Sequence, residues 1–276
     1  MTGGAEWQGR VGRAWADEWR RTDRSFAAFT PHLLAAIAAQ AGTRVLDIGC
    51  GAGDLSLGVA RARPNAQVTG IDISSDLIAA ASQRAAETGA RHVRFRHADA
   101  AEYRDADGAP DLLVSRHGVM FFADPPAVFR HLAAQSAQGA HMVFSCFRGR
   151  QHNPWANLFD GVLPAAIAAP ADPLGPGPFA FADPDHAQRC LAGWANLTFT
   201  PVDFTYVAGA GDDPVADAIG FFARIGPAAA RLATVAGDDR AQLLAAMAGV
   251  LETHLHHGQI ALPASAWIVT AQSDHA

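Results

Sequence analysis

A doubly wound α/β fold with a mostly parallel sheet is what this sequence predicts, on three observations. Between residues 44 and 147, short apolar runs rich in Val, Ile and Leu alternate with longer helical stretches. That rhythm builds parallel strands with helices on both faces. The first run, Val45-Leu46-Asp47-Ile48, passes straight into glycines at alternate positions, Gly49, Gly51 and Gly53, and then into a helix. Finally, Gly49, Asp72, Asp99 and Ser115 stand at the carboxyl ends of successive runs, where sheets of this kind hold their ligands.

The elements follow in order. Residues 1–42 read as helical, with Trp15 and Trp19 on one face and Trp7 upstream; Pro31 sits in the tolerated first turn of a second helix carrying Leu33, Leu34 and Ile37. This segment is a helical pair packed on the sheet, a lid over its ligand end, or both. The core, 43–148, is predicted with strands at 44–48, 66–71, 92–97, 111–115 and 141–147. Its helices are expected at 54–62, 74–88 and 126–138, the middle one capped by Ser74 or Ser75 and stopped at Gly89. Residues 149–182 break the rhythm with six prolines around an Ala-rich patch, too long for a plain connection and expected to form a cap. Residues 183–276 complete the sheet, with a helix from Pro184, a strand at 197–207, a helical cap at 213–256 and a last strand at 259–271.

Composition narrows the class. The chain has 276 residues, half of them apolar and 17% charged, enough for one sizeable core with a cap. A formal net charge of −6 argues against a nucleic-acid partner, because a phosphate backbone calls for a basic face. Cys50, Cys146 and Cys190 have no metal-ligand spacing and read as reduced thiols of a cytoplasmic protein. The start lacks a signal-peptide core, and no run is long and apolar enough for a membrane span.

The spacing in the glycine turn carries the chemistry. A dinucleotide fingerprint has its third glycine where this chain has Asp54. A carboxylate at a helix start repels a pyrophosphate, but it can face an ammonium, and Asp47 points the same way. The pattern Asp47-x-Gly49-x-Gly51-x-Gly53 resembles the first motif of class I S-adenosylmethionine-dependent methyltransferases. The resemblance strengthens through the stretch 111–125, DLLVSRHGVMFFADP, which is similar to the ubiquinone- and menaquinone-methyltransferase-like branch. It extends to NPW at 153–155, GPFAFADPD and LPASAWIVTA, a pattern of members with unassigned substrate.

That resemblance implies a Rossmann-like, seven-stranded sheet whose last strand is antiparallel, and S-adenosylmethionine as methyl donor with S-adenosylhomocysteine as product. Asp47, Gly49, Gly51 and Gly53 would then cradle the donor. Asp72, with Ile73 beside it, would take the ribose hydroxyls; Asp99 and Ala100 would meet the adenine; Ser115 and Arg116 would flank the methionine end. On the acceptor side the candidates are Trp15, His117, Phe121, His152, Asn153, Trp155 and Phe221. His117 stands where the family usually has an aromatic, and it is the candidate general base because its ordinary pKa lies near neutrality. His254, His256 and His257 suggest a metal only weakly, so no metal is expected.

The expected activity is methyl transfer to a small or medium-sized apolar acceptor at O, N or activated carbon, by a monomer or homodimer. The alternatives are a peptide or protein acceptor, a non-catalytic module that binds the donor, and an NAD-dependent oxidoreductase.

Overall fold

Eight strands form one sheet in the order β3-β2-β1-β4-β5-β8-β6, with the short β7 paired to β8, in a computed structural model that describes residues 4–164 and 174–274. The first five are β1 (Arg44–Ile48), β2 (Gln67–Asp72), β3 (Val93–His97), β4 (Leu112–Arg116) and β5 (His141–Phe147). They pair parallel throughout. The long β6 (Trp194–Gly209), the two-residue β7 (Leu255–His256) and β8 (Gln259–Ser273) complete the sheet. β8 runs antiparallel to β5, β6 and β7. The sheet thus has one strand more than expected, because the chain turns back at His257 and Gly258 (φ +49° and +76°) to form a small hairpin.

Helices cover both faces. α1 (Gly4–Trp7), α2 (Arg10–Asp17), α3 (Trp19–Ser25) and α4 (Thr30–Ala38) precede the sheet; α5 (Asp54–Ala62), α6 (Ser75–Thr88) and α7 (Pro125–Gln135) connect its parallel strands. α6 starts at Ser74, whose hydroxyl accepts the Leu77 N–H, and stops at Gly89 in the left-handed region. α8 (Pro184–Cys190), α9 (Pro214–Phe222), α10 (Pro227–Leu232) and α11 (Gly237–Glu252) follow. The predicted cap at 213–256 is therefore three helices and a strand, broken at Gly226 and Gly237. His256 lies in β7 and His257 in the turn. The three histidines do not share a helix face.

The central strands β1, β4 and β5 are buried on both faces, which is why they read as continuous apolar runs rather than alternating ones. β6 carries Pro201 in mid-strand; it is tolerated because β6 is an edge strand and pairs only with β8. All three cysteines are free and buried. Pro170, Pro173 and the Ala-rich patch of the 149–182 segment lie outside the described residues. Among the described residues no helix is long and apolar enough to cross a membrane.

Candidate functional site

A cavity of about 460 Å³ opens at the carboxyl ends of the parallel strands, and it has two halves of different character. One half is floored by β1, β2 and β3 and the turns that follow them. Gly49, Cys50, Gly51 and Ala52 line it, with Asp47, Asp72, Ile73, Asp99 and Ala100. The other half lies beyond β4 and is walled by aromatic side chains, among them Phe26, Phe147, Trp155, Tyr206 and Phe221. Trp7, Trp15 and Trp19 from the N-terminal helices line it from above.

In the first half the carboxylates are held by backbone. Asp72 accepts the Gly51 N–H and the Ser74 N–H, each at 2.9 Å. Burial pushes its pKa up, against those two hydrogen bonds; each oxygen still has a lone pair. Asp47 is fully buried; one oxygen accepts the Ser56 hydroxyl at 2.6 Å, and the other, Oδ1, has no partner among the described residues. Burial raises its pKa to about 7, with the Ser56 hydrogen bond opposing. The Asp99 carboxylate caps the next turn through the Ala101 N–H at 2.8 Å.

Arg116 ties the two halves to the N-terminal helices. Its guanidinium donates to Asp54 at 2.6 Å, to the Thr30 hydroxyl at 2.9 Å and to Asp23 at 3.1 Å. Asp23 in turn accepts from Arg84 at 2.8 Å, and Arg84 lies 3.9 Å from the centre of the Trp19 ring. Desolvation raises the pKa of Asp23 despite Arg116. Asp54 is thus bound to arginine and does not line the cavity, contrary to its expected role opposite a ligand ammonium.

In the second half the rings interlock. Trp155 stacks on Tyr206 at 5.7 Å and 13°, and Tyr206 on Phe221 at 6.4 Å and 27°. His117 sits 4.3 Å from Phe147 and 4.9 Å from Phe26 by ring centroids. It is buried in that company, and burial, then the charge of Arg116, hold its pKa well below the ordinary histidine value.

Several sequence candidates fall elsewhere. Ser115 is fully buried, donates to the Ile48 carbonyl at 2.7 Å and accepts the Gly118 N–H at 3.2 Å. It stitches β4 to β1 and does not line the cavity. Asn153 is also fully buried: its amide donates to the carbonyls of Arg148 and Ser265, and its oxygen accepts from Trp155 and the Ser265 N–H. It positions the Trp155 loop without reaching the cavity. His152 is exposed and belongs to a separate surface cleft with Arg148 and Trp267. Gly53 starts α5 in the left-handed region, and a Cβ there would stand 2.7 Å from the Phe95 ring, so it serves packing. Trp15, Phe121, Trp155 and Phe221 do line the cavity. The lining residues not foreseen include Phe26, Phe147 and Tyr206, which the sequence shows only as single aromatics in distant segments.

Parts of this chain are similar to known proteins. Residues 39–168 match the family Methyltransf_31, described as a methyltransferase domain. A trans-aconitate 2-methyltransferase of Variovorax paradoxus is 29% identical over 62% of this chain and 60% of its own length. A demethylmenaquinone methyltransferase of Thermus thermophilus is 36% identical over 36% of this chain and 45% of its own. The chain thus spans about half the length of the curated relatives it matches. Among solved structures, a phosphoethanolamine N-methyltransferase 2 of Haemonchus contortus, in complex with phosphomonomethylethanolamine and S-adenosylhomocysteine, superposes with a TM-score of 0.51. That match is 15% identical and covers 94% of this chain and 56% of that one. The glycine turn, the acids at the ends of β1 and β2 and the five parallel strands all lie within the segment that matches the methyltransferase-domain family.

Proposed function

We propose that the protein transfers a methyl group from S-adenosylmethionine to a small or medium-sized apolar acceptor, at oxygen, nitrogen or an activated carbon. The observation that carries this reading is the single cavity joining a half lined by backbone and acids to an aromatic half. When bound, S-adenosylmethionine supplies a methyl carbon on a sulfonium, and transfer joins it to the acceptor as the carbon–sulfur pair passes to sulfur.

The residues present fit that donor. The unpartnered Asp47 Oδ1 suits a cationic hydrogen-bond donor such as the ammonium of its methionine end. The free lone pairs of Asp72 suit a vicinal diol, as charge-assisted hydrogen bonds. A Cβ at Gly51 would meet no protein atom within 4 Å, so the backbone there is open for close approach. Arg116 is already paired with two carboxylates and holds the N-terminal helices in place rather than offering a free charge. The aromatic wall holds the acceptor and excludes water, and positioning of this kind supplies much of the rate in a displacement at an activated carbon, up to about 7–11 kcal/mol in ideal cases. A concave chamber walled largely by aromatic side chains favours a small molecule over a peptide. The protein's acidic balance speaks against nucleic acid.

Calorimetric titration with S-adenosylmethionine, S-adenosylhomocysteine and NAD tests the reading. Binding of the first two without NAD is expected; binding of NAD alone returns the glycine turn to an oxidoreductase role. Asp72→Ala is expected to weaken S-adenosylmethionine binding by about 1.5–3 kcal/mol, roughly ten- to a hundredfold. Unchanged affinity in the same titration removes Asp72 from the ribose site.

A further inference from the structure

Charge on the walls of the cavity is one-sided. Asp23, Asp47, Asp72, Asp99 and Asp124 line it, and among the described residues Arg116 is the only arginine that does. That arginine is already paired. With Arg84 it meets Asp23 and Asp54 in a cluster where two positive charges face two negative ones. Among the described lining residues, then, no side chain offers a free positive charge to a carboxylate, a phenolate or an enolate.

The aromatic half has an order of its own. Phe26, Phe147, Trp155 and Tyr206 all line it, and they close a circuit of ring contacts. Phe26 to Phe147 is 5.9 Å by centroids, Phe147 to Trp155 4.9 Å, Trp155 to Tyr206 5.7 Å, and Tyr206 back to Phe26 5.9 Å. Interplanar angles from 13° to 85° make this a chamber of faces turned in several directions, not a flat stack. The face of an aromatic ring carries negative potential and attracts a cation, best of all a weakly hydrated one such as a quaternary ammonium.

The same half lacks a strong base. Burial, then the charge of Arg116, holds His117 well below the ordinary histidine value, and burial pushes Tyr206 up to about 12. A hydroxyl acceptor would find neither a group to take its proton nor a cation to hold the anion left behind. An unprotonated amine needs neither. Desolvation of the kind that lowers His117 also lowers a bound ammonium, which then gives its proton to water.

We propose that the methyl acceptor is a tertiary amine, and that the four-ring chamber recognises the quaternary ammonium it becomes. This inference rests on the methyl-transfer reading above. The nitrogen lone pair forms the bond to the methyl carbon, the carbon–sulfur pair passes to sulfur, and the positive charge of the sulfonium moves to nitrogen. An anionic acceptor would cancel that charge. An amine keeps it, and the rings are what it meets. A tertiary nitrogen carries no proton to be removed afterwards, so the step closes without a base.

N,N,N-Trimethylanilinium and tert-butylbenzene test the chamber, because they share a shape and differ in one atom and its charge. Both are titrated against protein saturated with S-adenosylhomocysteine, so that the acids of the donor half are covered. The cation should bind at least tenfold tighter. Tyr206→Leu should remove most of that preference and Tyr206→Phe should keep it; if Tyr206→Leu does not fold, Trp155→Leu serves in its place. With S-adenosylmethionine, N,N-dimethylbenzylamine should yield benzyltrimethylammonium by mass spectrometry, and p-cresol should yield no methyl ether. Equal affinity of the two isosteres, tighter binding of the neutral one, or binding of neither overturns the proposal. So does the absence of the quaternary product, or an ether formed instead. Binding of S-adenosylmethionine with no preference for the cation removes this inference alone. A preference for the cation in a protein that does not bind S-adenosylmethionine or its product removes the methyl-transfer reading and leaves the cation chamber.

Discussion

Asp47→Asn is expected to make the ligand-free protein more stable above pH 7 while weakening its hold on S-adenosylmethionine. The native carboxyl has its pKa raised from 3.8 to about 7 by burial, so the folded state keeps a proton that the unfolded chain releases. Stability from this proton is complete below the unfolded pKa and is lost as pH rises through the folded one. At pH 8 the folded protein thus carries a buried charge met by the Ser56 hydroxyl on one oxygen only, at a cost of roughly 2–4 kcal/mol. Asn removes the charge and keeps the shape. Thermal melts should show the variant higher by several degrees at about pH 8, since each kcal/mol moves a melt by ~2–4 °C in a large domain, with the gap closing by about pH 4. A gap of the same size at both pH values would show that the charge is not its source. Binding should move the other way: the variant loses an ion pair to the ligand ammonium, and affinity should fall by about tenfold or more. For the wild type, affinity should fall as pH drops below 7, because Asp47 must ionise to meet a cation.

The second large effect separates two neighbouring glycines. Gly49 has φ +63°, and a Cβ there would stand 2.9 Å from the Gly118 Cα, where the chain leaving β1 touches the chain leaving β4. Gly49→Ala combines left-handed strain with a backbone collision that neither segment can relieve alone. It should cost about 2–4 kcal/mol by denaturant titration and disturb His117 beside it. Gly51, at φ +55°, has nothing within 4 Å of such a Cβ. Gly51→Ala should cost only ~1 kcal/mol of stability yet weaken S-adenosylmethionine binding by about tenfold or more, because the new methyl stands in the cavity. Equal stability losses in the two variants would overturn the contrast.

What could be read in advance was what is local. The strands and the glycine turn are encoded by neighbours in sequence, and β1, β5 and α5 fall at the expected residues. The resemblance places Ser115 and Arg116 together at the ligand, but successive side chains of a strand point to opposite faces. Arg116 lines the cavity, and Ser115 turns into the sheet. Asn153 is a candidate only through the resemblance of its NPW stretch. Its partner is instead the backbone around Ser265, 112 positions away, which no local pattern reveals. The helical pattern after Gly237 gives no sign of the short strand Leu255–His256, since that strand depends on pairing with β8.

The two halves of the cavity also have different positions along the chain. The half proposed for the donor is furnished by residues between Asp47 and Ala101; the aromatic wall draws on Phe26 before that interval and on Phe147, Trp155, Tyr206 and Phe221 after it. Only the first group, with Phe147 and Trp155, falls inside the segment shared with the methyltransferase-domain family. A lineage built this way can replace the aromatic chamber by drift in the flanks and leave the glycine-turn half intact. Phe26, Tyr206 and Phe221, rather than the glycine motif, are where descendants of a common ancestor would part company over what they modify.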